Sequence, residues 1–332
     1  MFFLKRDKNR GSLNLELALL IGVLVVGSAI GLTFLGKEIS NSFLAAGGSV
    51  KQASFLNLTS EDSGSGTDLS VPKVLCATGF GSGGHYTSDS APAPIEADWT
   101  YVDNGDGTYT ASKYNGTSAI VSAPFEYNGK PVTKLYSGTK LVPVIPKTVT
   151  TFYVPDSVKT IGAYACDSCT ALTSVYMPYG LTTIGRSAFY SCSMTSIDIP
   201  DTVTSIEAFA FSTCKSLTSV IIPEGITIIN TYSFDHCTAL TSVKIPSTVT
   251  SIDTWAFAYC SALTTVELPS GLTNIGGSAF YYATGLTTMT IPYSVQTFGA
   301  YIFLKCAKLT VKVPSAKITY WYSCGAAAVI PY

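Results

Sequence analysis

The sequence predicts an α+β chain: an N-terminal hydrophobic helix followed by a β-rich solenoid of about seven repeats of 22–23 residues. Two observations carry this reading. An apolar run extends from Leu13 to Leu35 behind a basic N-terminal segment. Much further on, Pro155, Pro178, Pro200, Pro223, Pro246, Pro269, Pro292 and Pro314 recur at a spacing of 22 or 23 residues.

The N-terminus indicates the compartment. Residues 1–11 hold Lys5, Arg6, Lys8 and Arg10 against a single Asp7. The run behind them is long enough for a membrane span of about 20 residues, and the basic flank keeps the N-terminus cytoplasmic while the remainder passes outward. No A-x-A-like site follows, so an ordinary cleaved secretory signal fits poorly. Glu16 is out of place in an apolar segment, where a carboxylate calls for a partner. The stretch Gly11-Ser12-Leu13-Asn14-Leu15-Glu16 resembles the processing site of type IV pilins, closest to archaeal class III signal peptides, although no Gln follows the Gly. The resemblance implies that a prepilin peptidase cuts between Gly11 and Ser12. It also implies that Glu16 pairs with a neighbouring subunit's new amino terminus and that the helices self-associate as a filament core. The plainer reading is a signal anchor whose Glu16 lies near the cytoplasmic end and snorkels.

These signals divide the chain into a leader (1–11), a hydrophobic pilin-like or transmembrane helix (12–44) and a Gly/Ser-rich linker (45–97). A β-hairpin cap (98–146), the solenoid (147–314) and a C-terminal cap (315–332) follow. In the first cap, Trp99–Val102 and Thr108–Ala111 flank Asp103-Asn104-Gly105-Asp106-Gly107, a turn in which Gly supplies positive φ. Its acidic residues lack the spaced ligands and distal Glu of a calcium loop. Trp321, with Tyr320 and Tyr322, is placed to cover the last apolar rung.

One repeat reads Leu217-Thr218-Ser219-Val220-Ile221-Ile222-Pro223, then Ile226, Ile229, Phe234 and Cys237. The next reads Leu240-Thr241-Ser242-Val243-Lys244-Ile245-Pro246, then Val249, Ile252, Phe257 and Cys260. Each unit buries its apolar positions against its neighbours, so no separate globular core is needed. The unit resembles the BspA-type leucine-rich repeat of bacterial, protist and some archaeal surface proteins, from about Trp99 to the end. That resemblance implies one short parallel strand per repeat on a concave sheet, with a turn or short helix on the convex side. It also implies a location at the cell surface.

Composition removes several functions. Charged residues are 12% of the chain, about half the usual share, and the net charge is -1, which leaves no electrostatic footprint for nucleic acid. Cys169, Cys192, Cys214, Cys237, Cys260 and Cys306 share one repeat position with Ala283, which marks a buried small group rather than a disulfide framework. Cys166 and Cys169 have redox or zinc spacing, yet Cys166 stands where other repeats carry Phe189 or Phe211. Cys76 and Cys324 are the pair outside the column to consider for a bridge. His85 and His236 cannot build a metal site or triad alone. Catalysis, a metal and a cofactor are therefore not expected.

Two polar columns remain. Thr173, Thr195, Thr218, Thr241, Thr264, Thr287 and Thr310 form a hydroxyl ladder, read as satisfying backbone groups in a bend. Tyr176, Asp198, Ile221, Lys244, Glu267, Thr290 and Lys312 alternate with inward residues and should face outward from the concave sheet. Tyr176, Asp198, Lys244 and Glu267 are the candidate ligand-binding residues, for an extracellular protein or glycan. Asn57 and Asn115 open glycosylation sequons, meaningful in a host that modifies them. The function expected is structural and adhesive: a pilin-like filament subunit that displays a recognition ectodomain at the cell surface. The alternative is a single membrane-anchored adhesin or receptor acting through its concave face.

Overall fold

The computed structural model describes residues 91–138, 142–317 and 324–332, and the structural statements below concern these residues. The chain opens with β1 (Trp99–Asp103), β2 (Tyr109–Tyr114), β3 (Ile120–Ser122), β4 (Glu126–Tyr127) and β5 (Lys130–Leu135). Next come β6 (Thr151–Tyr153), β7 (Thr160–Ile161), β8 (Ser174–Tyr176), β9 (Thr183–Ile184), β10 (Ser205–Ile206), β11 (Ser219–Ile221) and β12 (Ile228–Ile229). The last are β13 (Ser242–Lys244), β14 (Ser251–Ile252), β15 (Asn274–Ile275), β16 (Thr288–Thr290), β17 (Thr297–Phe298), β18 (Cys306–Val313) and β19 (Ala326–Pro331). Helical residues are confined to two single 3-10 turns, Glu96–Asp98 and Ser315–Lys317. The described part is a β-solenoid with no α-helix. The hydrophobic helix expected at 12–44 lies outside the described residues, as do the leader and Trp321.

A single rung explains the rest. In β11, Val220 is buried between exposed Ser219 and Ile221, the alternation a half-buried strand requires. Pro223 ends the strand, where its missing N–H costs the ladder nothing. Its carbonyl accepts the N–H of Ile226 at 3.1 Å, closing a turn that Pro246 and Val249 repeat at 3.2 Å. The chain then enters β12, where Ile229 is buried. Further turns bring Phe234 and Cys237 inside, and Leu240 begins the next rung. Neighbouring rungs pair in parallel register twice, as Val220↔Val243 and as Ile229↔Ile252. The expectation of one strand per repeat is therefore corrected to two, on separate sides of the solenoid.

Inside, Phe189, Phe211, Phe234, Phe257, Phe280 and Phe303 are stacked with ring centroids 5.5–5.7 Å apart. Each fully buried Phe contributes on the order of 2 kcal/mol by area removed from water. The hydroxyl ladder is a set of bonds to backbone. Thr218 Oγ1 donates to the Thr195 carbonyl at 3.0 Å, and Thr241 Oγ1 donates to that of Thr218 at the same distance. Thr310 leaves the column: it pairs with Thr288, because the last rung is one residue shorter.

The segment between second strand and cysteine forms turns because it visits the left-handed region at regular intervals. Tyr232 and His236 have φ of 59° and 57°, and Trp255 and Tyr259 have 62° and 58°. A positive φ every fourth residue prevents a helix from propagating. The rung-to-rung bonds hold these residues there, as when Tyr232 N–H donates to Thr254 O at 3.2 Å and His236 N–H to Ala258 O at 2.8 Å.

At the front, β1 and β2 form the expected antiparallel hairpin. Gly105 and Gly107 supply φ of 77° and 84° in its turn. Asp103 Oδ1 accepts the Gly105 N–H, and Asp106 Oδ1 accepts both the N–H and the hydroxyl of Thr108. These carboxylates are occupied by the turn itself. β2 then pairs in parallel with β5, which passes the sheet on to β7.

Candidate recognition face

The first strands of the rungs place one residue each in an outward column. Tyr153 lies opposite Tyr176, Ile221 opposite Lys244, and Thr290 opposite Lys312. Asp198 and Glu267 occupy the same place on rungs joined only by single bridges, Ser196↔Ser219 and Ser242↔Thr265. The sheet that carries the column therefore falls into three short sheets, interrupted at the two acidic rungs.

All four sequence-predicted ligand residues stand in this one column. Asp198, Lys244 and Glu267 are exposed, while Tyr176 is half-buried. The ring of Tyr176 stacks on Tyr153 with centroids 4.6 Å apart and planes 7° apart. Tyr179 is exposed beside them. Ile221 is 51% exposed in the middle, so the column runs from aromatic through acidic and apolar to cationic.

The other singled-out residues fall into place around this face. Asn115 is exposed, with its amide donating to Thr100 Oγ1 at 3.0 Å. Gly11, Ser12, Glu16, Asn57, Cys76 and His85 lie outside the described residues. Cys324 is a buried free thiol, as are Cys166 and every cysteine of the column. Each column thiol donates to a carbonyl in the preceding rung, Cys214 to Phe189 at 3.1 Å and Cys260 to Phe234 at 3.2 Å. Burial pushes Cys214 up to about 12. A thiol so held is neutral and unreactive. Among the described residues no group of three or more His, Cys, Asp or Glu could hold a metal ion. None of their helices is long and apolar enough to cross a membrane.

His236 has a partner that the sequence did not suggest. Its Nδ1 lies 2.8 Å from Asp235 Oδ2. Burial raises the Asp235 carboxyl above its usual range, against the pull of His236. The sequence reading also passed over aromatic residues on the turn side, Phe209, Tyr232 and Trp255 in one column and Tyr259 and Tyr282 in another. Their 23-residue spacing was the available signal.

Six copies of the family model for the BspA type leucine rich repeat region match the chain, over residues 146–261 and 182–310. A crystal structure of a leucine rich cell surface protein from Faecalibacterium prausnitzii is similar at 28% identity. The match covers 68% of this chain and 72% of that one, with a TM-score of 0.52. The leucine rich repeat protein of T. pallidum shares the fold at 24% identity over 72% of this chain and 100% of its own, with a TM-score of 0.50. No curated protein matches the chain. Residues 146–310 are thus similar in sequence to the BspA type leucine rich repeat, and the described fold is a leucine-rich repeat solenoid.

Proposed function

We propose that this chain, whose repeat region is similar to the BspA type, is a surface recognition protein. It binds an extracellular protein or glycan through the column that contains Tyr176, Asp198, Lys244 and Glu267. One observation carries the reading. The rungs repeat their buried residues almost unchanged, yet this outward column changes chemistry at nearly every step. Packing between rungs accounts for the constancy of Phe234 and Cys237. It places no demand on whether Lys or Glu stands at the exposed position. A rigid sheet with varied side chains suits binding better than chemistry on a substrate. The cell-surface description of the similar Faecalibacterium protein supports the same location for this chain.

The anchor is read from the sequence. The Gly11-to-Glu16 stretch and the apolar run behind it support a pilin-like subunit, cut before Ser12 and assembled through its helices, with the repeats displayed outside. The test uses the full chain on its native cells. Intact mass distinguishes a chain beginning at Ser12 from one retaining Met1. Adhesion of cells with Lys244 and Glu267 replaced, compared with unaltered cells, reports on the face. Unchanged adhesion would remove the recognition role from this column.

A further inference from the structure

The sheet face is not uniform along its length: its front half carries one sign of charge. The strands and following turns of five successive rungs, residues 119–128, 150–158, 173–181, 195–203 and 218–226, hold Glu126, Asp156, Asp198, Asp201 and Glu224 and no Lys or Arg. Three residues past each outward position, just beyond the proline, Phe125, Asp156, Tyr179, Asp201 and Glu224 follow one another on successive rungs, all exposed. Packing between rungs asks nothing of this position, which Ser247 and Ser270 fill further on. His236 and Asp235 form the ion pair found among the described residues, so the carboxylates of Asp156, Asp201 and Glu224 are not neutralised there. Lys159 donates at 3.1 Å to the backbone carbonyl of Asp156 rather than to its carboxylate.

Aromatic rings alternate with these charges. Phe125 is 55% exposed and Tyr179 54%, and Asp156 stands on the rung between them. Paired strands lie about 4.8 Å apart, so a group resting on either ring reaches the carboxylate beside it. Next to them Tyr176 stacks on Tyr153 with planes 7° apart, an arrangement unlike the box of rings that encloses a quaternary ammonium. Ser122 opens the outward column, opposite Tyr153. Val121 and Ala123 on either side of it belong to the core, so its side chain points to the face. Ser122 is 8% exposed, yet its hydroxyl has no hydrogen-bond partner. A buried hydroxyl left unpaired costs stability, and an N–H donor arriving here would remove that cost.

We propose that the front half of this face, through Asp156, Tyr179, Asp201 and Glu224 with the Ser122 hydroxyl at its head, binds an arginine-bearing segment of polypeptide, a ligand class that rests on the recognition role given above to the sheet. Like charge repels anionic partners, and neutral ones leave the carboxylates unused. Among cations, the planar guanidinium forks onto a carboxylate through two N–H groups and stacks on an aromatic ring. An ammonium is a strongly hydrated point charge without that fork, which disfavours lysine and amino sugars alike. From Asp156 to Glu224 is three rung steps, about 14 Å at strand spacing. That is the length of about four extended residues, so one segment with two or three Arg side chains reaches all three carboxylates. A small monovalent cation reaches one.

The test measures binding of the full chain, by fluorescence anisotropy, to a labelled peptide alternating Gly and Arg, to its Lys and Glu counterparts of equal length, and to a chitosan oligomer. The Arg peptide should bind most tightly and the Glu peptide not at all. Affinity for the Arg peptide should fall roughly tenfold or more when Asp156→Asn, Asp201→Asn and Glu224→Gln are combined, fall also in Tyr179→Ala, and weaken as salt is raised. The carboxamides keep the size of the exposed side chains they replace, and Tyr179→Ala decides the matter if the triple variant does not fold. No binding of the Arg peptide, unchanged affinity in either variant, or Lys peptide or chitosan bound as tightly as the Arg peptide would overturn the proposal. Adhesion of native cells keeps this failure apart from that of the recognition role. Adhesion that depends on Lys244 and Glu267 but not on the three carboxylates overturns the arginine ligand and leaves the face a recognition surface. Adhesion indifferent to all five residues removes the face itself.

Discussion

The Cys237 thiol donates a hydrogen bond to the carbonyl oxygen of Phe211, one rung earlier, at 3.2 Å. The same bond recurs from Cys192 to Cys166 at 3.2 Å and from Cys306 to Phe280 at 3.1 Å. Small size alone would be served by alanine, as at Ala283, where the thiol ladder omits a rung. The recurrent cysteine thus fills a small volume and also gives a buried carbonyl a second donor, beside the N–H of its own turn. Cys237→Ala should cost about 1 kcal/mol, part cavity and part lost hydrogen bond. Thermal unfolding measures this directly. Adding a reductant should leave the melting temperature unchanged, and a large fall would show that disulfides hold the column.

The same thiols set an alkaline limit. Burial pushes Cys214 up to about 12 and Cys306 up to about 11 from an ordinary 9.0. A folded pKa above the unfolded one means that the folded state holds its proton more tightly. The stabilisation is complete below pH 9.0 and is lost as pH rises through the folded values. Melting temperature should therefore decline above about pH 9, and replacing several column cysteines with alanine should flatten that decline. Equal pH dependence in both proteins would rule out the thiols as its source.

Asp235 gives a prediction at the other end of the scale. Its carboxyl is raised by burial, partly offset by the hydrogen bond and charge of His236, and its Oδ1 is buried without a hydrogen-bond partner. A carboxyl with a raised folded pKa stabilises the fold below its unfolded pKa, and that contribution is lost as pH rises through the folded value. Asp235→Asn keeps an acceptor for His236 and removes the buried charge. Its melting temperature at neutral pH should equal or exceed that of the unaltered protein, with a smaller change on acidification. A marked loss of stability would show that the charge of Asp235 is needed to hold His236.

Processing at the N-terminus can be tested independently of the repeats. Gly11→Val should leave a precursor that retains residues 1–11, visible by intact mass. Glu16→Ala should insert normally but enter filaments poorly, since a neighbour's terminal amine would lose its counter-charge in an apolar core, a cost of several kcal/mol. Filament yield equal to that of the unaltered chain would end the proposed role of Glu16.

The solenoid was legible because it is nearly one-dimensional: each rung solves the same packing problem, so Pro223 and Pro246, or Phe234 and Phe257, recur in register. The hairpin around Gly105 was legible for a local reason, the positive φ that its turn requires. What could not be read depends on bonds between rungs. The two-residue strand at Ile228–Ile229 is too short to show an alternating pattern, and it exists because Ile229 pairs with Ile252. The left-handed conformations of Tyr232 and Trp255 contradict residue preference and persist because rung-to-rung N–H bonds impose them. The resemblance implies a turn or a short helix on the convex side, and those conformations explain why turns form. On the candidate face, Lys244 and Glu267 followed from simple alternation. The stacking of Tyr176 on Tyr153 did not, since it depends on ring orientation across two rungs.

That stack decides how the recognition face should be tested. Tyr176→Ala removes a partner 4.6 Å from Tyr153, and an aromatic pair is worth about 0.5–1.5 kcal/mol beyond its burial. It should therefore lower stability measurably, and any binding loss in that variant mixes folding with recognition. Lys244 and Glu267 are exposed and do not share this difficulty. Lys244→Ala and Glu267→Ala should each change stability by about 0.5 kcal/mol or less. If the column binds a partner, each should weaken adhesion by about 1 kcal/mol or more. Charge reversals should act more strongly than truncations and respond to salt, since these charges are solvated and screened. Adhesion and thermal unfolding measured on the same preparations separate the outcomes. Weakened adhesion at unchanged melting temperature places recognition on the column. Adhesion that tracks stability alone, falling for Tyr176→Ala and not for Lys244→Ala or Glu267→Ala, would make this face part of the scaffold.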